Sequence, residues 1–291
     1  MIKPESAAKA EMDLRRLSAD MRIAVINGIC EAGFGHIGGS ISIVDVLAVL
    51  YGKAMQYDPA HPDWPERDYL VLSKGHSGPG LYAALAVAGF FPMDWLKTIN
   101  KPYTMLPSHC DRLRTPGIDM TTGSLGQGIS AAAGIALGNR LEGMDNCTYC
   151  IIGDGELQEG QVWEAVQFAA HHSLSNFIVF IDYNKKQLDG PVRDICESFN
   201  IEEKFHAFHW DARTVKGYDV YDIERGLNEA KQVRDRPKAI VLDTIKGIGC
   251  SFAEKAQMNH YMTVNREMAD EAVAEIERRF KEGAYPGGDL V

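Results

Sequence analysis

The chain has 291 residues, which is long enough for one large domain or two small ones with a full hydrophobic core. Hydrophobic residues make up 45% of the sequence and charged residues 24%, and these proportions exclude a disordered, collagen-like or disulfide-stapled chain. The formal net charge of −10 disfavours nonspecific binding to nucleic acid and to anionic membranes, so neither is expected as a partner.

The apolar pattern predicts neither a membrane span nor a secretion signal. The longest apolar stretch, Leu81 to Phe91, is about half of the roughly 20 residues that cross a bilayer, and residues 3–13 carry charges in place of an apolar signal core. We therefore expect a cytoplasmic protein. The six cysteines are scattered, and no second pair completes a zinc site with Cys147 and Cys150, so we predict reduced, mostly buried thiols.

The first helices are predicted from their apolar spacing. Apolar residues recur every three or four positions from Leu14 to Ile29, and this pattern predicts a helix that stops near Gly33. A second helix is expected from Ser42, whose hydroxyl is predicted to cap it, through Leu50. No internal repeat, low-complexity tract or linker divides the sequence, so we predict a single domain over residues 1–291.

The later elements alternate between strands and helices. A short β-rich run at 69–72 precedes a helix at 81–88, and a glycine-rich turn at 123–128 precedes an alanine-rich helix at 131–141. Apolar strands are predicted at 148–152, 177–182 and 239–244, with helices at 162–170, 223–234 and 268–280. This alternation predicts an α/β fold with a mainly parallel sheet and helices on both faces. Ligands of such sheets bind at the carboxyl ends of the strands.

Two loops at predicted strand ends carry oxygen ligands. Gly153-Asp154-Gly155 follows one strand, and Asn184 follows the next strand, 184 − 154 = 30 positions later. A carboxylate between glycines and a nearby amide suit Mg²⁺, which takes oxygen ligands and completes its shell with phosphate and water. A helix starting near Glu159 would direct its N-terminal amides to the same place, which suits a diphosphate. Either loop alone could be an ordinary turn.

A dinucleotide site is the rival interpretation of the glycine-rich loop. Its fingerprint places a third glycine three positions after the second, whereas the glycine that follows Gly153 and Gly155 is Gly160. The spacing therefore excludes a Rossmann-type fingerprint.

Taken together, Gly153-Asp154-Gly155 and Asn184 resemble the thiamine-diphosphate-binding motif, and the chain as a whole resembles the transketolase family. The family's other motifs are matched in order by a histidine loop at 32–40, a second one at 72–76, a glycine turn at 121–128, and a final segment at 246–252 with His260. The resemblance covers nearly the whole chain, but only the diphosphate-binding domain of a transketolase. It implies a partner subunit that carries the pyrimidine-binding and C-terminal domains.

The resemblance gives roles to four of the nine histidines. It implies that His76 and His260 contact the cofactor diphosphate and that His260 also transfers protons, while His36 and His109 hold hydroxyls of the donor sugar. At 108–110, Ser-His-Cys stands where the family has Gly-His-Pro. The other histidines match no motif and are expected to be structural; they are His61, His171, His172, His206 and His209.

The resemblance also implies the remaining cofactor and metal contacts. The metal, Mg²⁺ or Ca²⁺, would be bound by Asp154, Asn184 and the backbone carbonyl of Lys186, whose side chain replaces the family's usual hydrophobic residue. Leu125 and Leu188 would press on the thiazolium ring, unless both are ordinary core leucines. The implied cofactor contacts are His76, Gly123, Leu125, Gly153, Asp154, Gly155, Asn184, Leu188 and His260.

Two glutamates, Glu159 and Glu164, are open to two interpretations. They lie at the start of a predicted helix, where the helix dipole stabilises carboxylates without any further function. By resemblance, they could also belong to an acidic path that links the two active sites of a dimer, since neighbouring carboxylates favour proton sharing.

The leading functional hypothesis is one subunit of a split transketolase, which transfers a two-carbon ketol unit from a ketose phosphate to an aldose phosphate through thiamine diphosphate. Because the sequence ends at Val291 without a pyrimidine-binding domain, the resemblance implies an α2β2 assembly with a separate partner. One alternative is the α subunit of a 2-oxo-acid dehydrogenase, which shares the metal motif but does not account for His36, His76 and His260 together. Another is a non-catalytic cofactor-binding module.

Overall fold

A five-stranded parallel sheet organises the protein, whose computed structural model describes residues 13–284. The strands are β1 (Phe34–Gly35), β2 (Tyr69–Leu72), β3 (Thr148–Gly153), β4 (Phe177–Tyr183), β5 (Asp211–Lys216), β6 (Lys238–Asp243) and β7 (Met262–Thr263). The sheet has the order β2-β3-β4-β6-β5 with all neighbours parallel, and β1 pairs with β7 in a separate antiparallel ribbon. The predicted α/β fold is confirmed.

Helices cover both faces of this sheet. They are α1 (Leu14–Ala32), α2 (Ile37–Ile41), α3 (Val44–Val49), α4 (Gly78–Val87), α5 (Gln127–Leu141), α6 (Gly160–His171), α7 (Val192–Ile195), α8 (Ile201–Ala207), α9 (Val220–Gln232), α10 (Ser251–Lys255) and α11 (Arg266–Lys281). One core joins the strands to α1, α3, α4, α9 and α11, and a second joins them to α5, α6 and α8. Ile151 belongs to the first core and Ile152 to the second, as expected for a parallel sheet buried on both sides.

The first helix agrees with its sequence signals at both ends. The carboxylate of Asp13 caps α1 by accepting hydrogen bonds from the backbone amides of Arg15 and Arg16. Gly33 ends the helix with φ +84°, a left-handed conformation that a glycine adopts without strain. This end of α1 leads directly into β1 and the first histidine loop.

The predicted start of the second helix is wrong. Ser42 does not cap a helix; it lies at the end of α2, and its hydroxyl donates a hydrogen bond to Oδ2 of Asp182 at 2.7 Å. The helical run is divided into α2, α3 and a π-helical turn at Leu50–Ala54. A buried carboxylate far along the chain attracts the hydroxyl, and this partner is invisible to local sequence patterns.

The sequence pattern does not predict three of the strands. The strand β5 lies at the sheet edge, and only Ala212 and Val215 of its six residues are buried, so it has neither an apolar run nor a regular alternation. The strands β1 and β7 have two residues each, which is too short for a periodic signal. Their pairing matters for the site because His36 follows β1 and His260 precedes β7.

The run Ile37–Ala54 has the length and hydropathy of a membrane span, and it is longer than the stretch considered from the sequence alone. In the structure, however, 89% of this run is buried inside the protein, where it contributes to the core. The charged N-terminal segment lies mostly outside the described residues.

The cysteines are all free thiols, as predicted. Cys150 is buried in β3, and Cys147 is partly buried just before this strand, so the pair belongs to the core. Cys196 is the exception to the predicted burial, because it is exposed after α7.

Candidate active site

The strand ends bring the predicted loops together around one cavity. In the sheet, Gly153 of β3 is paired with Asp182 of β4, and Tyr183 of β4 is paired with Asp243 of β6. A cavity of about 340 Å³ lies at these carboxyl ends. All of the predicted site residues line it, namely His36, His76, His109, Gly123, Leu125, Gly153, Asp154, Gly155, Asn184, Lys186, Leu188 and His260.

Four histidine rings form a cluster on one side of the cavity. The ring centroid of His36 lies 5.5 Å from that of His76, 5.6 Å from that of His109 and 5.3 Å from that of His260. His76 and His260 are themselves 4.7 Å apart. The β1–β7 ribbon brings His36 and His260 together, although 224 positions separate them in the sequence (260 − 36 = 224).

Burial keeps these imidazoles neutral. The pKa of His36 falls to about 4 because of burial and the neighbouring His109 and Lys246. Burial and Lys246 lower the pKa of His260 to about 3, burial and Lys74 lower that of His76, and burial lowers that of His109. A neutral imidazole has one nitrogen that donates and one that accepts a hydrogen bond, so the cluster can hold hydroxyl groups and transfer protons.

The side-chain oxygens of Asp154 and Asn184 belong to residues that line the same cavity as the histidines. Oδ1 of Asp154 accepts a hydrogen bond from the amide of Gly155 at 2.8 Å, and Oδ2 accepts one from the amide of Lys185 at 2.5 Å. Oδ1 of Asn184 accepts one from the amide of Lys186 at 3.1 Å. Each of these oxygens, and the backbone oxygen of Lys186, keeps a further lone pair for a ligand.

The carboxylate of Asp154 lacks a full counter-charge. Burial, together with the charge of Asp182, raises its pKa to about 7. Asp182 is itself fully buried, and it is paired with Lys74 while its Oδ1 atom has no hydrogen-bond partner. Two buried carboxylates at neighbouring strand ends therefore provide an environment that a cation would stabilise.

Two buried lysines, Lys74 and Lys246, complete the charged part of the site. Nζ of Lys74 pairs with Asp182 and donates to the backbone oxygen of Gly39 at 3.2 Å. Nζ of Lys246 donates to the backbone oxygen of Lys186 at 3.0 Å and lies 3.1 Å from Nδ1 of His260. Burial and the charge of Lys74 lower the pKa of Lys246 to about 8. Both ammonium groups line the cavity and favour an anionic ligand.

Small and apolar residues shape the rest of the wall. Gly123 has φ +156°, and a Cβ atom there would lie 3.1 Å from the His109 ring, so a glycine lets that ring sit against the backbone. Leu125 and Leu188 both line the cavity, and Leu188 is 56% exposed. Leu188 is therefore not an ordinary core leucine.

The loop after β3 differs from its predicted form. The helix α6 begins at Gly160 as expected, but a 3₁₀ turn at Gly155–Gln158 lies between Asp154 and α6. The amide that binds Asp154 is that of Gly155, at the start of this turn, and not an amide of α6. Glu159 is the exposed N-cap residue of α6 and lines the cavity, and Glu164 is exposed on α6.

Sequence reasoning missed several polar residues of the cavity. Lys74 and Lys246 lie inside the motifs at 72–76 and 246–252, and this position could have indicated that they belong to the site. They were missed because lysines are rarely buried. Glu156 follows the Gly-Asp-Gly motif directly, and it is 1% exposed. Gln187 packs its side chain against Gly155, where a Cβ would lie 3.0 Å from that of the glutamine.

Comparison with known proteins identifies the family. Residues 14–280 match the family model described as transketolase, thiamine diphosphate binding domain. The chain is 49% identical over 277 residues to the 6-deoxy-6-sulfo-D-fructose transketolase subunit SqwG of Clostridium sp., covering 95% of this chain and 100% of that protein. It is 34% identical to a subunit of the apulose-4-phosphate transketolase of Actinobacillus succinogenes, covering 94% of this chain and 99% of that one.

The structural comparison agrees. Transketolase from Leishmania mexicana superposes with a TM-score of 0.86 at 31% sequence identity, over 94% of this chain and 42% of that one. The chain belongs to the transketolase family. It spans the full length of relatives that are single subunits and less than half of a one-chain transketolase. The predicted subunit of a two-component transketolase is confirmed, and the dehydrogenase and non-catalytic alternatives are not favoured.

Proposed function

We propose that the chain binds thiamine diphosphate with a divalent cation in the cavity at the strand ends and, with its partner subunit, transfers a ketol unit from a ketose to an aldose. The observation that carries this proposal is the convergence of oxygen ligands, buried lysines and the histidine cluster on one cavity. When bound, thiamine diphosphate supplies the reactive carbon that takes up the two-carbon unit. The chain's own residues bind the anionic end, orient the sugar and move protons.

The donor set fits a hard cation. Within residues 13–284, no group of three His, Cys, Asp or Glu side chains could hold a metal unaided. A cation would therefore depend on the carboxylate of Asp154, the amide oxygen of Asn184 and the carbonyl of Lys186, completed by diphosphate oxygens. The raised pKa of Asp154 supports this assignment, because a nearby cation would stabilise the ionised carboxylate. Mg²⁺ and Ca²⁺ both suit such oxygen ligands.

The lysines and histidines divide the remaining tasks. Lys74 and Lys246 provide positive charge for the diphosphate, and His76 and His260 lie beside them. His36 lies within ring contact of the other three histidines, and His109 packs against it; these two would hold hydroxyls of the donor sugar. The pKa of His260 is lowered to about 3, which makes the ring neutral but a weak base; a bound diphosphate anion would raise this pKa toward the range in which the ring can accept a proton from a substrate hydroxyl.

A partner subunit is proposed to cover the open side of the cavity. Exposed apolar side chains lie beside it: Leu188 lines the cavity, and Ile195 and Phe199 are 48% and 75% exposed on the following segment. Gln158, which lines the cavity, donates a hydrogen bond to the backbone oxygen of Cys196 and so ties this segment to the cavity wall. Leu188, Ile195 and Phe199 form what we call the apolar rim. A heterotetramer of two copies of each subunit would place one cofactor at each subunit boundary.

The donor is proposed to be a ketose with an anionic terminal group. The relative from Clostridium sp. is named for 6-deoxy-6-sulfo-D-fructose, and that from Actinobacillus succinogenes for apulose 4-phosphate. Because the greater identity is to the former, we place a terminal sulfonate ahead of a terminal phosphate as the anion of the donor.

Reconstitution tests this proposal. The chain is purified alone and together with the product of the neighbouring gene, and ketol transfer is assayed with thiamine diphosphate and Mg²⁺. Donors are 6-deoxy-6-sulfo-D-fructose and ketose phosphates, with aldose phosphates as acceptors. We expect activity only from the mixture, and a higher kcat/KM for the sulfonated donor. Full activity from the chain alone would contradict the two-component proposal, and preference for a phosphate would contradict the donor assignment.

A further inference from the structure

Glu156 is a buried carboxylate at the base of the cavity that accepts three hydrogen bonds. Its Oε1 atom accepts one from the hydroxyl of Ser73 at 2.5 Å and one from the amide of Gly126 at 2.8 Å. Its Oε2 atom accepts one from the amide of Gly153 at 3.1 Å. With both oxygens engaged and a side chain that is 1% exposed, Glu156 is built into the wall and is not available as a proton carrier.

The three donors belong to three separate loops that each carry predicted cofactor ligands. Ser73 precedes Lys74 and His76 after β2, Gly126 follows Leu125 in the glycine turn, and Gly153 precedes Asp154 at the end of β3. The Ser73 hydroxyl oxygen also accepts a hydrogen bond from the amide of Ile129 at 3.2 Å, which extends the connection into the first turn of α5. One side chain therefore joins these three loops.

The loop after β2 and the glycine turn pack so closely that neither can move alone. A Cβ atom on Gly75 would lie 2.6 Å from the carbonyl carbon of Thr122, and one on Gly128 would lie 2.5 Å from Oγ of Ser73. The loop after β2 and the glycine turn thus touch through their backbones. A shift of either loop would move the other, and the carboxylate of Glu156 fixes both relative to Asp154.

We propose that Glu156 is a positioning residue that holds the three loops in the arrangement required for cofactor binding before the cofactor arrives. This inference rests on the proposed function, because it concerns the same cavity. The reason for a carboxylate is that all three groups facing it are donors, and a carboxylate only accepts hydrogen bonds. A glutamine would turn its NH₂ group toward one of the donors, and an aspartate would be too short by one methylene to reach all three.

Binding of thiamine diphosphate to the full chain tests this inference. Glu156→Gln is compared with wild type by tryptophan fluorescence titration in excess Mg²⁺, with the exposed Glu203→Gln on α8 as the matched control. Loss of one charge-assisted hydrogen bond predicts a Kd raised roughly tenfold or more for Glu156→Gln, and no change for the control. In the reconstituted enzyme, the activity that Glu156→Gln loses at low cofactor concentration should be largely recovered at saturating cofactor, because the carboxylate acts by positioning cofactor ligands.

A second variant makes the test independent of the folding of the first. Ser73→Ala removes one donor, leaves Glu156 in place and should also raise the cofactor Kd. In the double variant, the increases in cofactor Kd, expressed as free energies, should be less than additive, because both substitutions break the hydrogen bond between Ser73 and Glu156. A wild-type Kd in Ser73→Ala and in folded Glu156→Gln, or fully additive effects, would overturn the positioning role. A wild-type chain that binds no thiamine diphosphate would instead contradict the proposed function.

Discussion

The carboxylate of Asp154 accepts a hydrogen bond from the backbone amide of Lys185 at 2.5 Å, and this bond joins the ends of the adjacent strands β3 and β4. Lys185 adopts φ +69°, in the left-handed region that is uncommon for a residue with a side chain, to present its amide to the carboxylate. Because Asn184 directly precedes Lys185, the same bond places the Asp and Asn of the motif beside each other. The thirty-residue spacing of the sequence motif thus corresponds to one strand crossover.

Replacing Asp154 should abolish cofactor binding without unfolding the chain. Asp154→Asn should abolish Mg²⁺-dependent binding of thiamine diphosphate in calorimetry, because the anionic ligand of the cation is lost. The ligand-free variant should also lose the decline in melting temperature that the wild type shows as the pH rises from about 4 to about 7. The folded pKa of Asp154, about 7, lies above its ordinary value of 3.8, so its ionisation destabilises the folded chain progressively as the pH rises through this window.

Relative to wild type, Asp154→Asn should therefore gain stability steadily between about pH 4 and pH 7, while the pH-independent cost of turning its NH₂ group toward a backbone donor shifts the whole curve without changing this trend. Asp145→Asn, at an exposed position, serves as the control and should change neither cofactor binding nor the pH dependence of melting. Undiminished cofactor affinity in Asp154→Asn would remove the proposed metal site.

The histidines should separate by role. His36→Gln and His109→Gln should raise the donor KM or lower kcat roughly tenfold or more with the cofactor still bound, because each loses a hydrogen bond to the sugar. His76→Gln and His260→Gln should weaken cofactor binding or slow proton transfer. Steady-state kinetics and a cofactor titration distinguish the two classes, with the exposed His61→Gln as control. Normal donor kinetics in His109→Gln would show that the Ser-His-Cys loop does not hold the donor.

Together with burial, the charge of Lys246 lowers the pKa values of two histidines in the cluster. Nζ of Lys246 lies 3.1 Å from Nδ1 of His260 and lowers the pKa values of both His260 and His36. Lys246→Met should raise both pKa values toward the ordinary histidine value, because a neighbouring positive charge disfavours protonation. Histidine NMR titration of the full chain measures the change. Lys53→Met, at an exposed lysine that pairs with Glu224, should leave both titrations in place. Unchanged titrations in Lys246→Met would mean that burial and the other neighbouring groups account for the depressed pKa values.

The apolar strand pattern predicted the parallel sheet apart from its edge strand, and the resemblance to the family's motifs named residues that the structure brings together around one cavity. The sequence was insufficient where a residue's role depends on a distant partner. Ser42 is a residue type that often caps a helix, but its hydroxyl donates a hydrogen bond to Asp182. Glu156 is a residue type usually found on the surface, but its carboxylate accepts hydrogen bonds from three loops. The edge strand β5 is missed because it buries one residue in each core, Ala212 and Val215, among polar neighbours, and so has no apolar run.

A buried ion pair supports the loop that carries Lys246. Arg22 and Asp45 are both fully buried, with Nη2 of the arginine 2.7 Å from Oδ2 of the aspartate, and Nε of Arg22 donates to the backbone oxygen of Ile248 at 2.9 Å. Arg22→Met should cost about 3–5 kcal/mol in urea denaturation, because it leaves the Asp45 carboxylate buried and uncompensated. Arg16→Met on the same helix is the control, since its pairs are partly exposed and should contribute about 0–1 kcal/mol. Equal losses in the two variants would contradict this account.

The apolar rim should be needed for assembly but not for folding. Phe199→Asp places a charge where the proposed partner subunit packs, and burying an unpaired carboxylate is costly. The variant should keep the melting temperature of the isolated chain, reduce its self-association in light scattering, and fail to form an active complex with the partner. The control is Leu141→Asp, since Leu141 is 77% exposed at the end of α5 remote from the cavity, about 20 Å along the helix from its first residue. Full reconstitution by Phe199→Asp would show that the partner binds elsewhere, because a carboxylate in the rim is incompatible with a dry apolar interface.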